Sequence, residues 1–248
     1  MKQFVSMIGL EFIKLRRTAL LWVGIAAGIG SIAISLYLSV ADKTTEYTFD
    51  IFTGNVISNN MSLFLPFTAV LTVGYMMEQE RTCCTLKSIL SIPVTFRKLL
   101  AAKLTAGMCF TAAYSLLQWV LSLLTCSILH LSGMNPVSAI VKFGTMLGMN
   151  LCVYIAVLPV IAFTVQYTGY YMAGVGFAVF YGFCSIFATG HGFTAVYPVS
   201  AGLVLLKFNM APTIQERINA VSSLSLMLVL TIILTLTSYD RTGKSSKQ

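Results

Sequence analysis

The chain has 248 residues, of which 57% are hydrophobic and only 10% are charged. Soluble domains carry about 25% charged residues, so this composition excludes a soluble globular protein and indicates a membrane protein. The net charge of +8 could suggest a nucleic-acid partner. We expect none, because the basic residues are placed as topology signals.

Six apolar stretches are long enough to cross a bilayer as helices, which takes about 20 mostly apolar residues. They are Thr18–Val40, Val56–Met77, Leu104–Leu131, Phe143–Gln166, Tyr170–Thr189 and Ala220–Ser238. The connectors between them are too short to form a separate soluble domain. We therefore predict an all-α integral membrane protein in which residues 1–248 form a single six-span domain.

The basic residues are unevenly divided between the two sides of the predicted membrane. If both termini share one side, that side holds Lys2, Lys14, Arg16, Arg17, Arg81, Lys87, Arg97, Lys98, Lys103, Arg241, Lys244 and Lys247. The other side holds Lys43, Lys142, Lys207 and Arg217. Because cytoplasmic loops carry an excess of lysine and arginine, this division predicts a multi-pass protein of the cell membrane with both termini in the cytoplasm.

Residues 1–17 have the pattern of a helix that lies on the membrane surface. Their apolar side chains recur at near-helical spacing, at Phe4, Val5, Ile8, Phe12 and Leu15. Basic residues occupy the rest of the helical turn, as in helices that lie in the headgroup plane. We predict an amphipathic elbow helix before the first span. A basic flank that only sets topology is the alternative.

The predicted exterior loop 41–55 contains three acidic residues, Asp42, Glu46 and Asp50. An acidic mouth of this kind could capture a cationic ligand from outside the cell. Plain solvation of the three side chains is the simpler interpretation, and the sequence leaves both open.

Two prolines, Pro66 and Pro159, lie in the middle of the second and fourth predicted spans. Proline removes a backbone donor and clashes with the preceding turn, so we expect a kink at each. Together with the polar residues Gln118 and Asn150, they are candidates for a hinge or a transport pathway, although fixed packing would explain them equally well. The predicted spans contain no carboxylate of the kind that ion-coupled carriers use, so energy is expected to arrive from outside the bilayer.

The connector that precedes the sixth span, residues 190–219, is long for an exterior loop. Its middle, Tyr197–Phe208, is apolar but only about a dozen residues long, which is too short to span a bilayer. We predict a short re-entrant or interfacial hairpin on the exterior side.

The connector between the second and third spans, residues 78–103, is unlike its surroundings because it combines carboxylates, basic residues and an apolar stripe. Leu86, Ile89 and Leu90 have the spacing of an amphipathic helix. Pro93 should end that helix, because the residue before a proline avoids the helical region, and a second helix can begin shortly after it. The pattern predicts a helix laid across the cytosolic surface, which would convert a push along the membrane into tilts of two spans.

This organisation resembles the membrane subunit of type-2 ABC exporters. That family has an elbow helix, six spans and a coupling helix between the second and third spans, with a local pattern of two acidic residues, Gly-Thr-Leu-Lys, two apolar residues, a proline, a Ser-Arg step and a lysine. The corresponding residues here are Glu78, Glu80, Cys84, Thr85, Leu86, Lys87, Ile89, Leu90, Pro93, Thr95, Arg97 and Lys103. Cys84 departs from the usual glycine, and Phe96 is inserted into the Ser-Arg step.

The resemblance implies a set of residues that couple the chain to a separate ATPase. They are Glu78, Glu80, Thr85, Leu86, Lys87, Ile89, Leu90, Pro93 and Arg97. It also implies the partners: an ATPase subunit in two copies, which holds ATP and magnesium, a second permease chain that is identical or homologous, and the surrounding lipids. We expect no cofactor, metal or catalytic residue in this chain.

The elbow sequence and the compact loops look most like the small permeases that confer immunity to lantibiotics and similar peptide antibiotics on bacteria. The resemblance therefore implies export of an antimicrobial peptide or a related amphiphile across the bacterial plasma membrane. A lipid or polysaccharide exporter permease and the six-span binding subunit of an energy-coupling vitamin transporter are alternatives. A membrane-embedded enzyme is disfavoured, because the only histidines, His130 and His191, are far apart and lack a partner glutamate at helical spacing.

Overall fold

The computed structural model describes residues 9–10, 14, 20–41, 48–83, 95–208 and 211–238. These residues form helices and turns, with one isolated β-bridge between Thr48 and Ser132 and no strand among them. The helices are α1 (Leu20–Ala41), α2 (Phe49–Asn59), α3 (Leu65–Thr82), α4 (Phe96–Ile128), α5 (Pro136–Thr164), α6 (Tyr171–Gly190), α7 (Ala201–Leu205) and α8 (Ile214–Thr237). A π-helical turn, Asn60–Phe64, joins α2 and α3 into one span.

Six helical segments are long and apolar enough to cross a membrane, which confirms the six predicted spans. They are α1, the continuous segment from α2 to α3, α4, α5, α6 and α8. We call the end of the bundle where α3 ends and α4 begins the proximal end, and the end where α2 begins and α4 ends the distal end. The elbow helix stays a prediction, because only residues 9, 10 and 14 of segment 1–17 are described, all of them helical.

Several helices begin earlier than the sequence predicted. Helix α4 begins at Phe96, as expected for the helix predicted shortly after Pro93. The helices that begin early are α2, at Phe49 rather than Val56, α5, at Pro136 rather than Phe143, and α8, at Ile214 rather than Ala220. Each continues past its apolar core as an amphipathic turn; Phe49 and Phe52, for example, are buried on either side of the outward-facing Asp50. The prediction of a loop over residues 41–55 is therefore wrong from Phe49 onward, while Asp42 and Glu46 lie outside the described residues.

Local capping explains where two of the helices begin. The backbone N–H of Thr213 donates to Glu216 Oε2 at 2.7 Å, which forms a capping box at the start of α8. Asn135 and Ser138 form a second capping box at the start of α5, where Pro136 occupies the first turn. At each start the capping box satisfies some of the backbone N–H groups that have no partner within the helix, and Pro136 has no N–H to satisfy.

Helix α5 lies at the centre of the bundle and packs against α3, α4, α6 and α8. Its residues Val153, Val157 and Ile161 are wholly buried. The hydroxyl of Tyr154 donates to the carbonyl of Leu104 at 2.6 Å and joins α5 to α4. The core of the protein is therefore arranged around one helix.

The segment between α6 and α8 folds back against the distal end of α5. It contains the short helix α7, and its residues Val199, Ala201 and Val204 are buried. The hydroxyl of Tyr197 donates to the carbonyl of Tyr181 at 2.6 Å, and burial raises the pKa of Tyr197, so it stays a protonated donor. The apolar stretch predicted for this region is thus packed on the bundle, and a re-entrant path through the bilayer stays a prediction.

Candidate functional site

A buried ion cluster lies at the proximal end, where the predicted coupling connector begins and ends. Glu80 Oε1 lies 2.7 Å from Lys14 Nζ and 3.0 Å from Lys103 Nζ. Glu80 is 4% exposed and Lys103 is fully buried, and Lys103 also donates to the carbonyl of Met76 at 3.2 Å. We call Lys14, Glu80 and Lys103 the charged junction. It joins the N-terminal segment to both helices that flank the connector.

The charged junction limits how the three elements can move apart. Removing a buried ion from its partner leaves a desolvated charge, which costs several kcal/mol in a protein interior. Because one carboxylate contacts two ammonium groups, separating α3 from α4 breaks contacts on both sides of Glu80. The geometry therefore favours α3, α4 and the N-terminal segment moving together at this end.

Glu78 extends the linkage at the proximal end to the fifth span. Its Oε2 atom accepts a hydrogen bond from the backbone N–H of Gly169 at 3.2 Å, in the turn between α5 and α6. Gly169 has a positive φ of 78°, which glycine adopts without the steric penalty of a side chain. Arg81 Nη1 lies 4.0 Å from the same carboxylate oxygen. The end of α3 is thus in contact with the turn that leads into α6.

The described residues of the predicted coupling set do not all face outward. Arg97 lies in the first turn of α4 and is exposed at the proximal end. Glu80, by contrast, is inside the bundle, where it can anchor the connector but cannot touch another subunit. Residues Thr85, Leu86, Lys87, Ile89, Leu90 and Pro93 lie outside the described residues. The coupling helix itself stays a prediction.

A hydrogen-bonded network of buried polar side chains lies in the middle of the spans, around the π-helical turn. Asn60 Nδ2 donates to Asn150 Oδ1, and Asn150 Nδ2 donates to Ser115 Oγ, both at 2.8 Å. The hydroxyl of Tyr114 donates to Asn60 Oδ1 at 3.1 Å and accepts from Gln118 Nε2 at 2.9 Å. We call these five residues the central network. It brings the predicted pathway residues Gln118 and Asn150 together and joins the second span to α4 and α5.

Pro66 lies at the start of α3, directly after the π-helical turn. A proline within a regular helix clashes with the carbonyl four residues earlier, which here belongs to Ser62. The wider π-helical turn accommodates this clash, and such turns are frequent at functional sites. Gly182 of α6 packs directly on the Ser62 carbonyl, where an added Cβ would collide. The distortion predicted at Pro66 thus takes the form of a π-helical turn that contacts α6.

Pro159, the second predicted hinge residue, belongs to a different part of the bundle. It lies within α5 and lines an apolar cleft of about 500 Å³ between α5, α6 and α8. Aromatic side chains form much of the remaining wall, including Phe163, Tyr167 and Phe177. The four predicted hinge or pathway residues therefore divide into the central network, the turn beside it and this cleft.

Sequence reasoning missed several residues at these sites. Lys14 was interpreted as a basic residue of the elbow helix and Lys103 as the lysine of the family pattern, and the pairing of both with Glu80 was not predicted. Asn60 stands in a sequon-like Asn60-Met61-Ser62 triplet, which gives no sign of its buried hydrogen bonds. Ser115 gave no signal, because serine is common in spans and its partner lies on another helix.

Comparison with known proteins identifies the architecture. Residues 7–185 match the family described as ABC-2 family transporter protein, which is well over half of the chain. The chain belongs to the ABC-2 transporter family. A curated relative of this ABC-2 protein is the bacitracin transport permease protein BCRB of Bacillus licheniformis. The two are 27% identical over 158 residues, which cover 64% of this chain and 75% of the relative.

Membership of the ABC-2 family confirms the resemblance to type-2 ABC exporter permeases. The protein is thus a multi-pass transport permease related to antibiotic transport. The family match favours the transport permease over the two alternatives of a vitamin-binding subunit and a membrane-embedded enzyme. All residues of the charged junction, the central network and the π-helical turn lie within the matched residues 7–185.

Proposed function

We propose that this ABC-2 permease expels antimicrobial peptides of the lantibiotic or bacitracin type, or related amphiphiles, from the bacterial cell membrane. The similarity to the bacitracin transport permease of Bacillus licheniformis supports this class of cargo. Two copies of a separate ATPase, which bind ATP and magnesium, drive the cycle, and a second permease chain, identical or homologous, completes the transport path. ABC-2 membership supports these partners.

The proposed orientation places the proximal end in the cytoplasm. The exposed basic residues Arg97 and Lys98 lie at this end, as does Arg81 near the end of α3. An excess of such residues marks the cytoplasmic side of membrane proteins. The ATPase then approaches the connector 84–94, which the charged junction supports from within.

The charged junction is the observation that carries the proposed mechanism. A push on the connector acts on the ends of α3 and α4, which Glu80 and Lys103 hold together. Lys14 includes the N-terminal segment in the same unit, and the contact from Glu78 to Gly169 extends to the turn before α6. Nucleotide-driven movement of the ATPase can in this way tilt several spans at once.

Replacing Leu86 and Ile89 together with aspartate should uncouple ATP hydrolysis from export. Carboxylates on the apolar face of the predicted coupling helix would weaken its binding to the ATPase. We expect bacitracin export by the reconstituted complex to fall at least tenfold, while the amount of inserted protein stays the same. The measurement is ATPase activity and bacitracin transport in the same proteoliposomes.

The matched control for this experiment is Ser88→Asp. The helical pattern places Ser88 away from the apolar face, so the same charge should change export by less than twofold. Normal export by the Leu86→Asp, Ile89→Asp variant would show that this segment does not receive the ATPase.

Replacing Asp50 with asparagine should leave bacitracin resistance unchanged. Lys142 Nζ lies 3.0 Å from Asp50 Oδ1, so the carboxylate is already paired and offers little net charge to a cationic peptide. Because its side chain is 65% exposed, the pair should contribute less than about 1 kcal/mol to stability. The measurement is the growth-inhibiting bacitracin concentration. A fourfold or larger loss of resistance would instead support capture at this position.

A further inference from the structure

Two asparagines of α2 are paired with two serines of α1 in the distal half of the bundle. Asn55 Nδ2 donates to Ser39 Oγ at 3.0 Å, and Asn59 Nδ2 donates to Ser35 Oγ at 3.0 Å. In each helix the two residues are four positions apart, so the pairs stack about one turn above each other. We call these four residues the asparagine ladder.

The serine hydroxyls fix the orientation of both asparagine side chains. Ser35 Oγ donates its proton to the carbonyl of Ser31 at 2.7 Å, and Ser39 Oγ donates to the carbonyl of Ser35 at 2.7 Å. A hydroxyl has one proton, so each serine oxygen can only accept from its asparagine. The amide nitrogens must therefore face α1, and the amide oxygens must face away from it.

The amide oxygens of the ladder are presented at a partly exposed surface. Asn55 and Asn59 are both partly exposed, whereas Ser35 is fully buried behind them. Neither asparagine Oδ1 accepts a hydrogen bond from any described residue. In the central network, by contrast, the Oδ1 atoms of Asn60 and Asn150 both accept one. The hydrogen bonds from the asparagine nitrogens to the serines thus hold the two asparagine oxygens in a fixed orientation, in which they can accept hydrogen bonds from another molecule.

The depth of the ladder makes this arrangement unfavourable unless something binds there. Asn59 lies ten residues after the start of α2, or about 15 Å along the helix from the distal end. The hydrocarbon region of a bilayer offers no water to satisfy a polar group, and polar residues facing it are typically functional. An acceptor held outward at this depth indicates a partner with hydrogen-bond donors.

The exposed part of the second span also changes character along its length. In α2 it is mostly polar: Ile51 is exposed near the start of the helix, and Ser58 is exposed between the two asparagines. Beyond Asn59 it becomes apolar, with Leu63 exposed and Phe67 partly exposed. A molecule that matches this surface has donor groups at one end and an apolar portion at the other.

We propose that the asparagine ladder is a binding site for the amide N–H or hydroxyl groups of an exported amphiphilic peptide. Two neutral acceptors one helical turn apart can bind donor groups without requiring a charge on the peptide. The apolar part of the peptide lies along the second span toward the proximal end. This inference rests on the proposed function and names the part of the permease that recognises the cargo.

Binding of bacitracin to the full-length chain in lipid nanodiscs tests the ladder without the ATPase. The variant Asn55→Leu with Asn59→Leu removes both acceptors and is expected to raise the Kd at least tenfold. The matched control, Ser35→Ala with Ser39→Ala, breaks the same internal hydrogen bonds but keeps both asparagine oxygens. Its Kd should rise clearly less than that of the leucine variant, because both acceptors remain although the amides lose the hydrogen bonds that orient them. If the double leucine variant does not fold, the two single leucine variants replace it, each with an expected rise of at least threefold.

The outcomes separate the ladder from the proposed function. If the leucine variants bind bacitracin with the wild-type Kd, the ladder is not the binding site, although the proposed cargo would still stand. Equal loss in the leucine and alanine variants would show a helix-packing contact and overturn the ladder as well. A leucine variant that loses association between permease chains in native mass spectra, with bacitracin binding intact, would assign the surface to a second copy. Failure of the wild-type chain to bind bacitracin would contradict the proposed cargo, and the ladder as its site.

Discussion

Replacing Glu80 with alanine is expected to destabilise the protein by about 3–5 kcal/mol, the range found when one partner of a buried ion pair is removed. Lys103 is fully buried, so the change takes the carboxylate away from a desolvated ammonium group that lies 3.0 Å from it in the wild-type protein. The contact with Lys14 is lost at the same time. The measurement is the free energy of unfolding of the purified chain in lipid nanodiscs, compared with wild type.

Two controls distinguish a buried charge effect from the loss of any glutamate. Glu216→Ala removes an exposed glutamate from the capping box of α8 and should cost only about 1 kcal/mol. Combining Glu80→Leu with Lys103→Met replaces the pair by apolar side chains and should recover most of the stability, because the desolvated charge is gone. If Glu80→Ala is no more harmful than Glu216→Ala, the charged junction does not hold α3 and α4 together.

Replacing Gly182 with alanine should destabilise the packing of α6 on the second span by about 1–3 kcal/mol, as overpacking of a close contact usually does. An added Cβ would collide with the backbone carbonyl of Ser62 and lie 2.7 Å from Pro66 Cγ. A backbone carbonyl cannot rotate away as a flexible side chain can, so the two helices must separate. We expect a lower thermal unfolding midpoint and reduced bacitracin export.

The matched control lies on the same helix. Gly176 has no atom within 4 Å of the position that a Cβ would occupy, so Gly176→Ala meets no neighbour. Alanine is favoured over glycine in a helix by about 1 kcal/mol, and this variant should be neutral or slightly stabilising. Equal behaviour of the two alanine variants would contradict the close contact between α6 and the π-helical turn.

The second span is held at three levels by different chemistry. The asparagine ladder contacts α1 in the distal half, the central network and the π-helical turn contact α4, α5 and α6 near the middle, and Glu80 joins the proximal end to α4. Rearrangement at one level therefore changes the fit at the others. Under the proposed mechanism, a push on the connector would pass along this span to the asparagine ladder.

The six spans could be predicted from the sequence because each leaves an uninterrupted apolar run of about 20 residues. Their ends could not be placed as well, since helices continue into amphipathic turns that hydropathy alone assigns to loops. Residues 41–55, with their three acidic side chains, were predicted as a loop, but Phe49 and Phe52 fall on one buried helical face. The capping pair Thr213–Glu216 is a local signal that could have extended the last span.

The candidate sites were only partly predictable, because their chemistry depends on contacts between distant residues. Gln118 and Asn150 stood out as polar residues within apolar spans, but nothing in the sequence indicates that Tyr114 and Asn60 connect them. Glu80 was assigned to the coupling surface by its motif, whereas its burial follows from Lys103, which lies on another helix. Pairing across helices leaves no periodic pattern in either partner.

Site-specific photo-crosslinking in intact cells tests the central claim, that the connector between the second and third spans receives the ATPase. A photoreactive residue at position 87 is expected to crosslink to the ATP-hydrolysing subunit. The same residue at position 142, which lies at the distal end beside Asp50, should give no such product. A crosslink to the ATPase from position 142, or none from position 87 in an actively exporting complex, would contradict the account.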